Sequence, residues 1–303
     1  MSRFLKFMAV SAVLAIAAGL FFLGSMAGLF SRLSGNGVSL KEDRPHITVL
    51  KVEGPIFSSD QYMESIQRIA KDKSCKGLLL RVDSPGGAVG ASQEILSALK
   101  SLKSGKLPIV VSQGNLAASG GYYVSLAGDR IFSNAGTLTG SIGVIIQFPE
   151  AVKLMDKVGV ELVTVKSGAL KDIGNFSRRS SPEEIRFLQS VIDNTYGQFL
   201  DDILSSRKMK REDLLKIADG RVLTGSQALD HGLVDTLGGY QEAKAYLAGL
   251  AGLEGEPIMV KEPPEKSWIV NMMESRYAGP QGLLSQAAAL LPLNREGMFF
   301  LWR

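Results

Sequence analysis

The run of apolar and polar positions divides the chain into four stretches. Arg3 and Lys6 precede an uncharged, largely apolar run over residues 7–31, which Arg32 closes. At about 1.5 Å per residue, a helix of that length reaches about 37 Å, enough to cross a bilayer core. The run exceeds the apolar part of a cleavable signal and predicts a single retained transmembrane helix. Ser25-Met26-Ala27 leaves cleavage as the alternative. Positive charge ahead of the span favours a cytoplasmic N-terminus, with the rest of the chain extracytoplasmic. Residues 32–45 are polar, contain Gly35 and Gly37, and read as a linker.

Residues 46–250 alternate between two periodicities. Ile47–Val52, Gly77–Val82, Pro108–Ser112, Ile142–Gln147 and Glu161–Val165 read as strands. Val89–Lys103 places Ile95, Leu96, Leu99 and Leu102 at helical spacing. Ala118–Ala127 and Glu150–Val158 read as further helices. Ser181-Pro182-Glu183-Glu184 opens another that runs to about Arg207: a capping serine, a proline in the first turn, and acids at the positive helix end. Repeated strand–helix units predict an α/β fold with helices over a largely parallel sheet. Residues 251–303 lose the alternation, carry Pro257, Pro263, Pro264, Pro280 and Pro292, and read as an extended arm.

Composition removes several function classes. Hydrophobic residues make up 45% and charged residues 21%, which suits a packed core. The net charge of +4 is spread thinly, with no basic stripe, so nucleic acid is not an expected partner. The single cysteine, Cys75, excludes an intrachain disulfide; it reads as a thiol in a turn ahead of a strand. With two histidines, His46 and His231, in unrelated contexts, neither a metal nor a cofactor is expected.

Three glycine-rich turns follow strand-like segments: Asp83-Ser84-Pro85-Gly86-Gly87, Ala117-Ala118-Ser119-Gly120-Gly121 and Thr139-Gly140-Ser141-Ile142-Gly143. Sites in open α/β sheets gather at the carboxyl ends of strands, so these turns are candidates to converge. Ser119 sits where a strand passes into a helix, whose free N–H groups favour a developing alkoxide. Gly120 and the Gly86-Gly87 turn supply backbone donors for an oxyanion. The alternative is a plain helix cap among small packing residues.

A serine nucleophile needs a base. Neither histidine has a context that suits the part. A lysine serves only when neutral, which requires its reference pKa of about 10.4 to fall by about three units. Lys171 and Lys166, both just past the Glu161–Val165 segment, are the candidates, and Asp172 has to point away from the amine that serves.

At these residues the sequence resembles the signal peptide peptidase A family, from about Ile47 to Leu250. The likeness rests on five blocks in order: Asp83–Gly87, Ala118–Tyr123, Gly140–Val144, Lys166–Asp172, and Gly220–Gly225 with Gly232–Asp235. The resemblance implies repeated β-β-α units shared with the Clp protease subunit and the crotonases. It implies Ser119 as nucleophile, Lys171 as base, Ser141 holding the lysine amine, and Gly86 or Gly87 with Gly120 as oxyanion hole. It also implies apolar peptides, remnants of signal peptides in the membrane, as substrates. The short, single-domain members to which the length corresponds assemble into homo-oligomeric rings that complete sites between subunits. The domains expected are then an anchor over 1–31, a linker over 32–45, a peptidase domain over 46–250 and an arm over 251–303.

Three rivals share parts of this pattern. A stomatin-linked membrane Ser–Lys protease shares the dyad. A crotonase-type acyl-CoA enzyme shares the fold and the oxyanion geometry, but would use carboxylates and have no need of Ser119. A non-catalytic membrane scaffold would share the fold alone. One feature belongs to none of the blocks: Gly297-Met298-Phe299-Phe300-Leu301-Trp302-Arg303 strings five large apolar residues together at the end of the chain. It either packs on the body or on a neighbouring subunit, or enters a groove built for apolar peptides.

Overall fold

The computed structural model describes residues 44–253 and 260–262, and the backbone of 299–301. The expected anchor, nearly all of the linker and most of the arm lie outside the described residues. Among those described, no helix is long and apolar enough to cross a membrane.

In chain order the elements are β1 (His46–Glu53), α1 (Asp60–Lys71), β2 (Cys75–Ser84), β3 (Gly86–Ala88), α2 (Val89–Ser104), β4 (Ile109–Ala118), α3 (Gly120–Ser125), β5 (Arg130–Ser133) and β6 (Leu138–Gly140). They continue with α4 (Val152–Val158), α5 (Pro182–Ser206), α6 (Arg211–Leu215), β7 (Val222–Thr224), α7 (Gly225–Asp230), β8 (Thr236–Leu237), α8 (Tyr240–Leu250), β9 (Val260–Lys261) and β10 (Phe299–Leu301). One sheet runs in the order β7-β6-β4-β2-β1-β9, with β5 on β4 and β8 on β5. All its pairings are parallel except β6 with β7.

The sheet is covered on both faces, which is why its strands read as nearly continuous apolar runs. Leu78, Leu80 and Val82 point into a large core shared with α1, α2, α3 and α5. Ile47, Val49, Leu79 and Val110 point to the other face, against Ala243, Leu247 and Ala248 of α8. The helix expected over Val89–Lys103 buries Ile95, Leu96, Leu99 and Leu102 as its spacing predicts. At the start of α5, the Ser181 side chain accepts from the Glu184 N–H while the Glu184 carboxylate accepts from the Ser181 N–H.

Strand β4 is longer than the segment read from sequence and changes neighbour midway. Val110–Ser112 pair with β5, and Leu116–Ala118 pair with β6. An irregularity opposite Val82 and Ser84 makes the switch possible. The Asp83 carboxylate pins it, accepting the Asn115 and Leu116 N–H groups at 3.3 and 3.1 Å. Cys75 opens β2 as a buried residue instead of lying in a turn.

Two expected strands are not strands. Ile142–Gln147 follows Gly140 and Ser141, whose positive φ of 79° and 50° turn the chain aside; the strand lies before them, as β6. Glu161–Val165 has no neighbouring strand edge among the described residues, and Val163 and Val165 are 84% and 95% exposed. A β run without a partner leaves its backbone groups to solvent and stays irregular. Helices α1 and α8 have no counterpart in the sequence reading.

Candidate active site

Strand β4 ends at Ala118, and the chain reverses at Ser119 into α3. Ser119 adopts φ 53° and ψ −115°. Its N–H donates to the Gly140 carbonyl at 2.8 Å, and its carbonyl accepts the Tyr123 N–H at 2.8 Å. A non-glycine residue held at positive φ costs about 1–3 kcal/mol and persists only where its surroundings over-determine it. Among the described residues three do so: Lys106, Ser119 and Ser141. Two of the three are sequence-derived site candidates. The Ser119 side chain is 1% exposed, and its Oγ has no hydrogen-bond partner among the described residues. A buried hydroxyl left unpaired is costly, and this one sits at the mouth of a helix.

The Gly86-Gly87 turn meets that helix directly. A Cβ on Gly120 would stand 3.1 Å from the Gly87 nitrogen and 3.1 Å from the Gly86 Cα. The start of α3 therefore lies against the Gly87 amide with no room for a side chain. Gly86 has φ 97°, and its own N–H is donated to Ser84 Oγ at 3.1 Å. Gly87 is pressed on its other side by the Ile56 backbone, where a Cβ would come within 1.9 Å of the carbonyl oxygen.

Ser141 is buried one residue beyond the carbonyl that Ser119 bonds, and its N–H donates to the Arg221 carbonyl at 2.9 Å. It opens onto a cleft shared with Ile142, Val144, Gln189, Ile192 and Asp219. Lys171 stands apart. It lies in an exposed turn, its N–H bonded to the Gly168 carbonyl, and its amine has no partner among the described residues. The chain thus brings Ser119, Gly86, Gly87 and Gly120 together and sets Ser141 beside them, but it does not bring Lys171 to Ser119.

Asp172 points away from Lys171. It takes Lys166 and, at 2.8 Å to each oxygen, Arg178, whose guanidinium also grips Glu184. Hydrogen bonds from Arg178 first, then from Lys166, hold the Asp172 carboxyl well below the usual carboxylate range. Arg178, followed by the Ser181 N–H, takes Glu184 down to about 2.

The histidines lie elsewhere. His46 opens β1 beside Asp72. Ser119 follows the far end of β4, and β2 alone, between them, spans about 30 Å at about 3.3 Å per residue. His231 caps α7 and is exposed.

Residues to which the sequence reading gave no role hold the elbow in place. Ser92 Oγ lies under Gly120. The Tyr122 hydroxyl donates to the Leu233 carbonyl at 3.0 Å. Tyr123 stacks edge-on against Phe199 at 5.0 Å and bonds Asp202 of α5. Arg207 grips Asp235 through two bonds of 2.9 and 2.8 Å, fixing the turn that Tyr122 reaches. The Gly232–Asp235 block was visible in sequence; its use as a brace for α3 depends on contacts more than 100 residues apart.

Comparison with known proteins gives the chain a family. Residues 101–254, just over half of the chain, match peptidase family S49. A Synechocystis sp. protein described as "Putative protease" is 42% identical over 217 residues, covering 71% of this chain and 78% of that one. "Protease 4" of Haemophilus influenzae is 35% identical over 206 residues, and "Serine protease SPPA, chloroplastic" of Arabidopsis thaliana 34% over 205. Each covers 65% of this chain, which spans only 33% and 30% of those two longer proteins.

Proposed function

The chain belongs to peptidase family S49, the signal peptide peptidase A family, and on that premise we propose that it is a serine endopeptidase with Ser119 as nucleophile and Lys171 as general base. The observation that carries the reading is the strained, buried Ser119 with its unpaired Oγ, directly ahead of Gly120, which packs against the Gly87 amide. Gly87 supplies the second oxyanion donor, since the Gly86 N–H is held by Ser84. Ser119 Oγ attacks the scissile carbonyl as Lys171 takes its proton. The oxyanion rests on the two N–H groups, and the lysine returns the proton to the leaving amine. Water then hydrolyses the acyl-enzyme by the same relay.

Lys171 reaches Ser119 between copies. Within one chain its amine is exposed and the serine hydroxyl is orphaned. Assembly into a homo-oligomeric ring would bury the amine in apolar surroundings, which favours the neutral form a base requires. Ser141 would then hold that amine. We assign the subunit the repeated β-β-α layout of the Clp protease and crotonases, on the strength of its parallel sheet and the turns gathered at its strand ends. Residues 7–31 would anchor it with the peptidase domain on the extracytoplasmic side, and remnant signal peptides would be its substrates.

Co-assembly tests the dyad and its placement together. Ser119→Ala and Lys171→Ala are each expected to lose at least about 10³-fold in kcat/KM. If sites lie between subunits, an equal mixture reassembled from the two recovers about one quarter of wild-type activity, because half the serines meet half the lysines in a closed ring. Full activity of Lys171→Ala alone would overturn the mechanism, and a dead mixture would return the dyad to a single chain.

A further inference from the structure

Lys171 is followed at once by a carboxylate. An anion beside an amine favours its protonated form, so a lysine base here needs Asp172 held off. The Arg178 guanidinium takes three acceptors from that one residue. Its Nε donates to Asp172 Oδ2 at 2.8 Å, and its Nη2 donates to Asp172 Oδ1 at 2.8 Å and to the Asp172 carbonyl at 3.2 Å. Lys166 Nζ adds a bond to Asp172 Oδ1 and donates at 2.7 Å to the Ala169 carbonyl.

The grip is anchored on a rigid element. Arg178 Nη1 donates to Glu184 Oε2 at 2.9 Å, and Nη2 also bonds Glu184 Oε1. Glu184 closes the capping box of α5 by accepting the Ser181 N–H at 2.7 Å. A continuous set of bonds thus runs from α5 through Glu184, Arg178 and Asp172 to the backbone beside Lys171. The Asp172 and Glu184 side chains are 11% and 5% exposed, so salt screens their charges little. Arg179, the next cation along, turns to Glu150 at 3.6 Å instead. Two cations, Lys166 and Arg178, meet two anions, Asp172 and Glu184, a net charge of zero beside the Lys171 amine.

We propose that Arg178 is a positioning residue for the Lys171 base: it turns the Asp172 carboxylate away from the amine, balances its charge, and holds the turn that carries the lysine. The inference rests on the reading of Lys171 as general base. It also separates the two lysines of this turn. Lys166 is committed to a carboxylate as a counter-ion, and Lys171 is left uncommitted. The sign of the effect follows from the charges. Without Arg178 the cluster is −1, which favours a protonated Lys171 and moves the acid limb of activity to higher pH. Without the Asp172 charge it is +1, which moves the limb to lower pH. Without both it returns to zero. A clasp that merely stiffened the loop would lower activity alike at every pH and shift nothing.

The test is the pH profile of kcat/KM for an apolar fluorogenic peptide, measured on the full chain. Arg178→Ala should move the acid limb up by about one pH unit, so that activity on the rising limb falls about tenfold and the gap narrows above it. Asp172→Asn should move the limb the other way. The double variant Arg178→Ala with Asp172→Asn should bring the limb back to within a few tenths of a unit of the wild type, even if its loop is cut faster by proteases. Should Arg178→Ala fail to assemble, Asp172→Asn, which keeps the shape of the side chain, carries the test by the sign of its shift. Limbs that stay put in both single variants, or that move in the same direction, overturn the inference. If Lys171→Ala is inactive in that case, the base is left standing. An acid limb that survives unchanged in Lys171→Ala removes the base, and the inference with it.

Discussion

The Ser119 elbow and the 145–180 segment carry the two halves of the proposed chemistry, and they are built in opposite ways. The elbow follows the carboxyl end of the central strand β4 and is buried, with the Ser119 N–H and carbonyl both bonded to backbone. A methyl group on Gly120 or Gly87 has nowhere to go. The second region hangs on ion pairs instead of packing. Leu154, Val158, Val160, Leu162, Val163 and Val165 are exposed. Apart from Glu184, α5 fully buries nothing before Thr195, so its first half is only partly covered by the body. An orphaned hydroxyl in the packed half and a lysine in the unpacked half are complementary defects. Under the function proposed above, each would be repaired by a second copy that brings its exposed segment to this elbow.

The contrast is broken most sharply by adding one methyl group to each region. Gly87→Ala is expected to destabilise the fold by about 3 kcal/mol or more, since the new carbon meets the Ile56 backbone, which has no rotamer to change. Gly168→Ala, with nothing within 4 Å, is expected to stay within about 0.5 kcal/mol. Thermal or urea unfolding of the two variants decides it. Equal effects would show the 145–180 segment to be as closely packed as the elbow.

A smaller effect is expected from the clasp that holds the second region. Arg178→Ala leaves Asp172 with Lys166 alone and Glu184 with only the Ser181 N–H at the start of α5. Limited proteolysis within 166–180 should speed up several-fold, while the midpoint of global unfolding shifts little, because the core lies elsewhere. A large drop in global stability would contradict the division into two regions.

How much of this was legible in sequence follows the same division. The strands and helix around Ser119 were readable because they are locally determined: apolar runs, a capping box at Ser181, glycine turns at strand ends. The site glycines were readable because close backbone approach admits nothing larger. The strand expected over Glu161–Val165 was misread for the opposite reason. Its Val-rich alternation suits a sheet, but a sheet needs a partner, and the described residues provide none. The convergence of Ser84, Ser92, Asp202 and Asp235 around α3 could not be read either, since it is created by contacts between distant segments. The capacity of residues 299–301 to form a strand was visible in their apolar character; their antiparallel register on Gly86–Ala88 was not.

Acid provides a gentler probe. The folded-state values of Asp172 and Glu184 are depressed, so their contribution is fully present above the ordinary carboxylate value of about 4 and is lost as pH falls through the lower folded value, about 2 for Glu184. Amide exchange in 166–184, corrected for intrinsic rate, should be flat from neutral pH to about pH 5 and should loosen only below about pH 3. Activity should already have fallen well above that range, because a lysine base is protonated as pH drops. Loosening that tracked the loss of activity would mean that the clasp, not the base, sets the acid limb.

The smallest effect on the isolated fold should come from Val163→Ser with Val165→Ser, and it sharpens the comparison most. Both side chains are almost fully exposed within one chain, so removing them costs little apolar burial and should change subunit stability by no more than about 0.5 kcal/mol. An exposed apolar run is ordinarily either a liability or an interface. If this one is where a second copy adds its own strand or face, the double variant should fail to assemble while each subunit remains folded. Its kcat/KM should then fall toward that of Lys171→Ala, although neither valine touches the reacting atoms. Sedimentation at several protein concentrations, read beside peptide hydrolysis, separates the outcomes. A variant that is monomeric and inactive places the second half of the site on a neighbouring copy. One that assembles and cleaves as the wild type does leaves the run a solvent-exposed surface and removes the argument that assembly brings Lys171 to Ser119.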